Sequence, residues 1–268
     1  MISVAVLGAA GRMGQALIRC AARSEIVKVA AALEAPGHEA VGRDAGDVAG
    51  LGPFGIAVSS SLDKMAAADV VIDFTTRVAL PENVKTAASF RRAMVIGTTG
   101  LGDYERECIE RAAERVPIVW SPNMSLGVNL LFALAGRAVQ VFGTNYRVEI
   151  EETHHVHKKD APSGTALLLA ERIADEQKRP LAQCLVTEMG RTGAEHPADK
   201  IVIRSFREDE VVGDHIVRFI SGEETVEFVH HAWSRDAFAK GALRAAAWVA
   251  TRRPGLYDML DVLGFRRA

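Results

Sequence analysis

Cysteine is scarce in this chain of 268 residues: three thiols, Cys20, Cys108 and Cys184, lie far apart along it. An odd, scattered set excludes a disulfide framework and a zinc knuckle, and it suits a reducing, cytoplasmic interior. Neither sign of charge dominates. With 32 basic against 34 acidic side chains the formal net charge is −2, which excludes a broad electrostatic surface for nucleic acid. No apolar run reaches the roughly 20 residues that span a bilayer. The opening Ile2-Ser3-Val4-Ala5-Val6-Leu7 lacks the basic stretch of a signal peptide and predicts a strand. Internal repeats and low-complexity segments are also missing. What is present is a 49% hydrophobic, 25% charged composition, that of a folded chain with one large or two modest domains.

The first third alternates short apolar runs with helical stretches. Val4–Leu7, Ile26–Leu33, Val70–Phe74, Ala93–Ile96 and Pro117–Trp120 read as strands. Gly11–Ala22, Asn83–Phe90 and Tyr104–Arg115 read as helices, and the Gly-, Pro- and Asp-rich stretch 35–55 as a loop. Strands without internal alternation, separated by helices, predict a doubly wound parallel sheet of Rossmann-like α/β type. After Asn129 the pattern changes. Helices are expected over Leu130–Phe142 and Ser163–Gln177, a strand over Val148–Thr153, and strand-like alternation over Lys200–His231. That grammar predicts an α+β domain with a mixed or antiparallel sheet. A helix over Ala237–Thr251 and a tail over Gly255–Gly264 return to the first domain. The expected division is 1–125 with 235–268 as a dinucleotide-binding domain, and 126–234 as a substrate-binding and oligomerisation domain.

The first strand runs into Gly8-Ala9-Ala10-Gly11-Arg12-Met13-Gly14 and then directly into a helix. In such a loop Gly8 permits the tight turn, Gly11 lets backbone approach a pyrophosphate, and Gly14 allows close helix–strand packing. The helix start adds unpaired N–H groups for the phosphates. Glu34, 20 residues beyond Gly14, ends the second strand, where an acid can accept from adenosine ribose hydroxyls. A bare glycine turn beside a solvated glutamate is the bland alternative. Strand, loop, helix, strand and acid in this order favour a nucleotide. Ala35 follows the acid, so no guanidinium stands there for a 2′-phosphate, although Arg12 in the loop could reach one. NADH is therefore expected to serve at least as well as NADPH.

The richest segment is Glu151-Glu152-Thr153-His154-His155-Val156-His157-Lys158-Lys159-Asp160-Ala161-Pro162-Ser163-Gly164-Thr165, with five basic-type residues in six positions. No metal-ligand spacing is present, and a solvated polar loop is the commonest fate of such a run. As chemistry, imidazole can exchange a proton near neutral pH. Lysine can balance a substrate's negative charge, and the Pro162-Ser163-Gly164-Thr165 helix start offers N–H groups to a carboxylate. His38, His196 and His215 have no partner pattern and read as solvated loop residues. Trp120, Trp233 and Trp248 read as core or interface packing, and Cys108 and Cys184 as buried, inert thiols.

On these residues the chain resembles the 4-hydroxy-tetrahydrodipicolinate (dihydrodipicolinate) reductase family of lysine and diaminopimelate biosynthesis. The likeness includes Val6–Gly14, Asp73-Phe74-Thr75, Gly97-Thr98-Thr99-Gly100, Asn123–Asn129, Glu152–Ala166, Ser234–Ala246 and Gly255–Met259. The HHxHKxDAPSGTA string is its most specific part. The resemblance implies cofactor contacts from Gly8, Ala9, Ala10, Gly11, Arg12, Met13 and Glu34 on the adenosine side. It implies Gly97, Thr98, Thr99, Ser121, Pro122, Asn123 and Met124 on the nicotinamide side. His154 would be the proton donor and Lys158 the second catalytic residue, with His155, Ser163, Gly164 and Thr165 on the substrate. A homotetramer and a closing hinge are implied as well. Two positions depart from the family pattern: Ala35, where arginine often follows the acid, and Met124, where an aromatic usually follows the asparagine.

The expected activity is NAD(P)H-dependent reduction of a cyclic dicarboxylate, without metal, nucleic acid or membrane. A dehydrogenase of another small acid and an NADH-sensing regulator are the alternatives. The first would share the glycine loop but not the His–Lys–PSGT loop, and the second would need a partner surface that no motif supplies.

Overall fold

The computed structural model describes residues 1–194 and 196–266. They form two compact units, one of residues 1–126 with the stretch from Arg235 onward, the other Gly127–Ser234.

The first unit is built on a parallel sheet. Its strands are β1 (Ile2–Leu7), β2 (Val27–Leu33), β3 (Val58–Ser59), β4 (Val70–Asp73), β5 (Ala93–Ile96), β6 (Pro117–Trp120) and β12 (Gly255–Tyr257), in the order β12-β6-β5-β4-β1-β2-β3. Alternate side chains serve two cores. Val4, Val6, Val70, Ile72, Val95 and Val119 pack under α1 (Arg12–Ala21) and α8 (Asp236–Val249). Ala5, Leu7, Val71, Met94, Ile96 and Ile118 pack under α3 (Leu80–Ser89) and α4 (Asp103–Ala113). Burial on both faces explains why these strands read as unbroken apolar runs. Strand order reverses at β1, so the crevice beyond its C-terminal end is where a doubly wound sheet binds ligand.

Two short elements, α2 (Ala45–Val48) and β3, occupy and follow the stretch expected to be pure loop. A single carboxylate organises it: Asp44 accepts from the backbone N–H of Gly46, Asp47, Phe54, Gly55 and Ile56. Helix α3 begins three residues before the expected Asn83, with Pro81 in its first turn, where a missing N–H costs nothing.

The second unit has a five-stranded mixed sheet in the order β11-β10-β7-β9-β8. These strands are β7 (Arg147–His154), β8 (Leu185–Met189), β9 (Ile201–Arg207), β10 (Gly213–Ile220) and β11 (Thr225–Ala232). β10 runs antiparallel to β7 and β11, whereas β7, β9 and β8 are parallel. One face packs Val148, Ile150, Ile201, Ile203, Val217 and Phe219 against α5 (Leu126–Phe142) and α6 (Gly164–Glu176). The other carries paired charges, including Arg218 with Glu151 and Arg204 with Glu149 and Glu188. Strand β8 was not expected, because its half-exposed Leu-Val-Thr-Glu-Met run is too short to show a period. Before it stands α7 (Leu181–Cys184), in which Cys184 is buried, while Cys108 in α4 is half-buried.

Candidate active site

All the cofactor candidates lie beyond the C-terminal ends of parallel strands in the first unit. Gly8–Met13 follows β1, Glu34 follows β2, Gly97–Thr99 follows β5 and Ser121–Met124 follows β6. Gly8 has φ +70, a left-handed conformation that favours glycine. A Cβ on Gly14 would stand 2.1 Å from the Gly8 carbonyl oxygen, so α1 can approach β1 only as glycine. Gly11 sits at the N-cap of α1 without a side-chain cap, and Arg12 is exposed in the first turn. Glu34 Oε2 accepts from Ala10 N–H at 3.0 Å, joining acid and glycine loop directly. Gly8, Gly11, Glu34, Phe74 and Thr75 line a cavity of about 520 Å³. An anion-ready helix start, an acid and a cavity of this size fit a dinucleotide.

Asp73, fully buried at the end of β4, braces the neighbouring loops. It accepts from Thr75 N–H and hydroxyl, Thr98 hydroxyl and the Asn83 amide. Thr98 is consequently buried, leaving Thr99 exposed. Gly97 must be small, because a Cβ would meet the Phe74 ring at 2.2 Å. Ser121 donates to the Asn123 carbonyl, and Asn123 Oδ1 accepts from Ser125 N–H. Pro122 is exposed, but the Met124 side chain is 1% exposed and belongs to the core beside α8. The Met124 side chain, expected on the nicotinamide side, lies in this core instead, and its carbonyl sits so close to Gly241 that a Cβ there would be 1.8 Å away.

In the second unit, His154 and Glu152 point to one face of β7, as strand alternation requires for residues two apart. Glu152 Oε2 lies 2.5 Å from His154 Nδ1. Arg207 gives both guanidinium nitrogens to the same carboxylate at 3.1 Å, and Ser163 N–H donates to Oε1 at 3.1 Å. Burial works against an ionised Glu152, but the bonds from His154 and Arg207 prevail and hold the carboxyl at about 2. An ionised carboxylate only accepts, so His154 carries its proton on Nδ1, and Nε2 is the nitrogen left for other partners.

The rest of the loop is gathered around this pair. Arg207 also donates to the Asp160 carbonyl at 2.6 Å, and Lys158 Nζ grips the Asp160 carboxylate at 2.7 and 2.9 Å. His157 faces Glu210 in solvent. His155 is half-buried, and its Nδ1 lies buried without a hydrogen-bond partner. Ser163 caps α6 by accepting from Ala166 N–H. Gly164 and Thr165 form the first turn, and a Cβ at Gly164 would meet nothing within 4 Å. Glycine is not demanded there by packing, so the gap it leaves lies open beside the helix N-terminus.

Sequence reading missed three contributors. Glu152 stood inside the quoted segment, and its i−2 spacing from His154 on a strand was the available signal. Arg207 reaches the site only through β7–β9 pairing, opposite His154. His215, expected in a solvated loop, is 3% exposed within β10. His196 is also paired, to Glu188 at 2.8 Å, rather than solvated. Trp233 is 86% exposed on this unit, whereas Trp248 packs edge-on against Tyr257.

Among the described residues no group of three or more His, Cys, Asp or Glu could hold a metal ion, and no helix is long and apolar enough to cross a membrane. A unit fitted to a dinucleotide, with a second carrying a carboxylate-anchored histidine, defines a nicotinamide-dependent oxidoreductase. The models of dihydrodipicolinate reductase, N-terminus and C-terminus, match residues 2–124 and 127–263. The chain belongs to the dihydrodipicolinate reductase family. It is 47% identical to the 4-hydroxy-tetrahydrodipicolinate reductase of Anaeromyxobacter sp. (strain Fw109-5), covering 100% of both chains. It is 46% identical to that of Alkalilimnicola ehrlichii over 97% of this chain and 98% of the other. The fold is shared with a dipicolinate-bound dihydrodipicolinate reductase from Paenisporosarcina sp. TG-14: TM-score 0.76, 24% identity, 97% of this chain and 98% of that one.

Proposed function

We propose that this chain reduces 4-hydroxy-tetrahydrodipicolinate to tetrahydrodipicolinate with NADH or NADPH, within lysine and diaminopimelate biosynthesis. The observation that carries the reading is the Glu152–His154 pair, anchored within one hydrogen bond of the α6 N-terminus. The end-to-end likeness to reductases of that name supports it.

Each residue has a task that follows from its surroundings. Gly164 and Thr165 N–H groups receive a substrate carboxylate at the positive end of α6. His155, with its unpartnered Nδ1, supplies a further polar contact. Lys158 exchanges the exposed Asp160 carboxylate for the anionic substrate and stabilises negative charge that grows during reduction. The reduced nicotinamide, when bound, supplies the hydride. Glu152 steadies Nδ1–H of His154. Once Nε2 has taken up a proton from solvent, that second proton passes to the substrate as negative charge develops and the ring returns to its Nδ1–H form, a contribution of about 10²–10⁴-fold.

For the cofactor, Gly8–Met13 and the α1 N-terminus take the phosphates, and Glu34 exchanges Ala10 N–H for ribose hydroxyls. A carboxylate followed by Ala35 disfavours a 2′-phosphate, so NADH serves at least as well as NADPH. The assembly is a homotetramer located in the cytoplasm.

The test is a turnover assay that combines the chain, NADH and freshly made product of dihydrodipicolinate synthase. Rapid loss of absorbance at the nicotinamide band is expected. No loss with either reduced cofactor would refute the proposal and leave another small acid as substrate.

A further inference from the structure

His215 touches the proton donor and the anion-binding helix start at the same time. Its ring meets that of His154 edge-on, with centroids 5.3 Å apart and planes at 79°. Its Nε2 lies 3.3 Å from Ser163 Oγ, the atom that caps α6. Register explains the convergence. β10 pairs His215 directly opposite Glu152, so both project to the face that α6 covers. Two residues earlier, Gly213 leaves the space that His154 needs, because a Cβ there would lie 3.0 Å from Nε2.

The chemistry of the site demands that this ring be neutral. Burial, with His154 acting in the same direction, pushes its pKa down to about 3, against an opposing pull from Glu152. His230 from β11 and Lys158 from the loop after β7 also face it and add to the depression. A cation at this position would compete with the His154 N–H for the one anchoring carboxylate. His215 Nδ1 is buried without a hydrogen-bond partner, and an unpaired lone pair is tolerated better there than an unpaired N–H. The proton therefore sits on Nε2 and is donated to Ser163 Oγ.

We propose that His215 is a positioning residue for the reduction: a neutral imidazole that ties the His154 ring to the capped start of α6 and so fixes the donor relative to the bound carboxylate. The proposal rests on His154 being the donor. Misplacing a catalytic group by about 1 Å can cost roughly a hundredfold.

The experiment compares His215→Phe, which keeps a ring without a donor, with His215→Gln, which keeps an N–H near Nε2. The Phe variant is expected to lose about ten- to a hundredfold in kcat and to gain in KM for the dicarboxylate. The Gln variant should recover most of that loss. In the free protein at pH 7, ¹⁵N-imidazole spectra should show His154 protonated at Nδ1 in the wild type and the Gln variant. A mixture of ring states is expected in the Phe variant. If the Phe variant does not fold, a cycle of Ser163→Ala with His215→Ala takes its place, and strongly non-additive losses in kcat are expected because each single change already breaks the His215–Ser163 bond. Unchanged His154 signals with unchanged kcat and KM, or strictly additive losses in the cycle, would overturn the proposal. Near-normal turnover in His154→Ala would instead remove the donor assignment, and the spectra would still show whether His215 orients the ring.

Discussion

Glu152 and His154 stand two residues apart on one face of β7, and the carboxylate meets Nδ1 at 2.5 Å. The pair follows from nothing more than strand alternation and the burial of that face. Its consequence is chemical, because an acceptor-only group on one nitrogen leaves the other for the proton exchange proposed above.

Replacing His154 with alanine should lower kcat by about 10²–10⁴-fold and leave cofactor affinity unchanged. Steady-state kinetics and quenching of protein fluorescence by NADH check both halves. Wild-type turnover would exclude the imidazole from the chemistry.

The buried carboxyl also makes a pH-dependent contribution to stability. Glu152 titrates at about 2 in the folded chain, against an ordinary 4.5. A depressed pKa stabilises the fold fully above the ordinary value and is lost as pH falls through the folded one. That linkage amounts to roughly 3 kcal/mol at neutral pH. Glu152→Gln should therefore unfold at lower urea concentration at pH 7. Between pH 4.5 and 2 its stability should also fall less steeply than that of the wild type. Parallel curves for the two proteins across this range would contradict the argument.

Cofactor choice tests Glu34. kcat/KM for NADH is expected to equal or exceed that for NADPH, and Glu34→Ala should cost NADH about tenfold while leaving NADPH little changed or improved. A tenfold preference of the wild type for NADPH would point to Arg12 as the dominant group.

Asp44 tests the fold alone. Its carboxyl is held below the ordinary range, mainly by the N–H of Phe54 and despite some desolvation, so protonation in acid should release the loop it gathers. Asp44→Ala at neutral pH should speed amide exchange over residues 46–56 by about tenfold or more, with little change in kcat. Protection as in the wild type would mean that the loop is held elsewhere.

The parts of the site legible in the sequence are those whose partners are near in the chain. Gly8, Gly11 and Gly14 announce a turn and a close helix, and Ser163 announces a cap, because the constraint spans only a few residues. Arg207 reaches the Glu152 carboxylate from β9 and His215 reaches Ser163 from β10, each more than 40 residues away. Their places depend on strand register, which no local pattern encodes. β8 escaped notice because its five half-exposed residues are too few to show a period, and its Glu188 is placed by ion pairing with Arg204 of the neighbouring strand. Met124 is misjudged for the opposite reason, since an apolar side chain beside candidate cofactor residues can equally well be core.

The dinucleotide-binding unit is interrupted. α8 completes the packing against β1 and β4, and β12 closes the sheet against β6, yet both are encoded after the whole of the second unit. A ribosome finishes the segment carrying the glycine loop early and must then produce more than a hundred further residues before its missing helix and edge strand emerge. Until then the growing chain exposes the apolar surface that α8 will cover, the kind of surface for which chaperones compete. A nascent chain stalled near Ser234 would hold every phosphate-binding residue and still lack a finished core to present them.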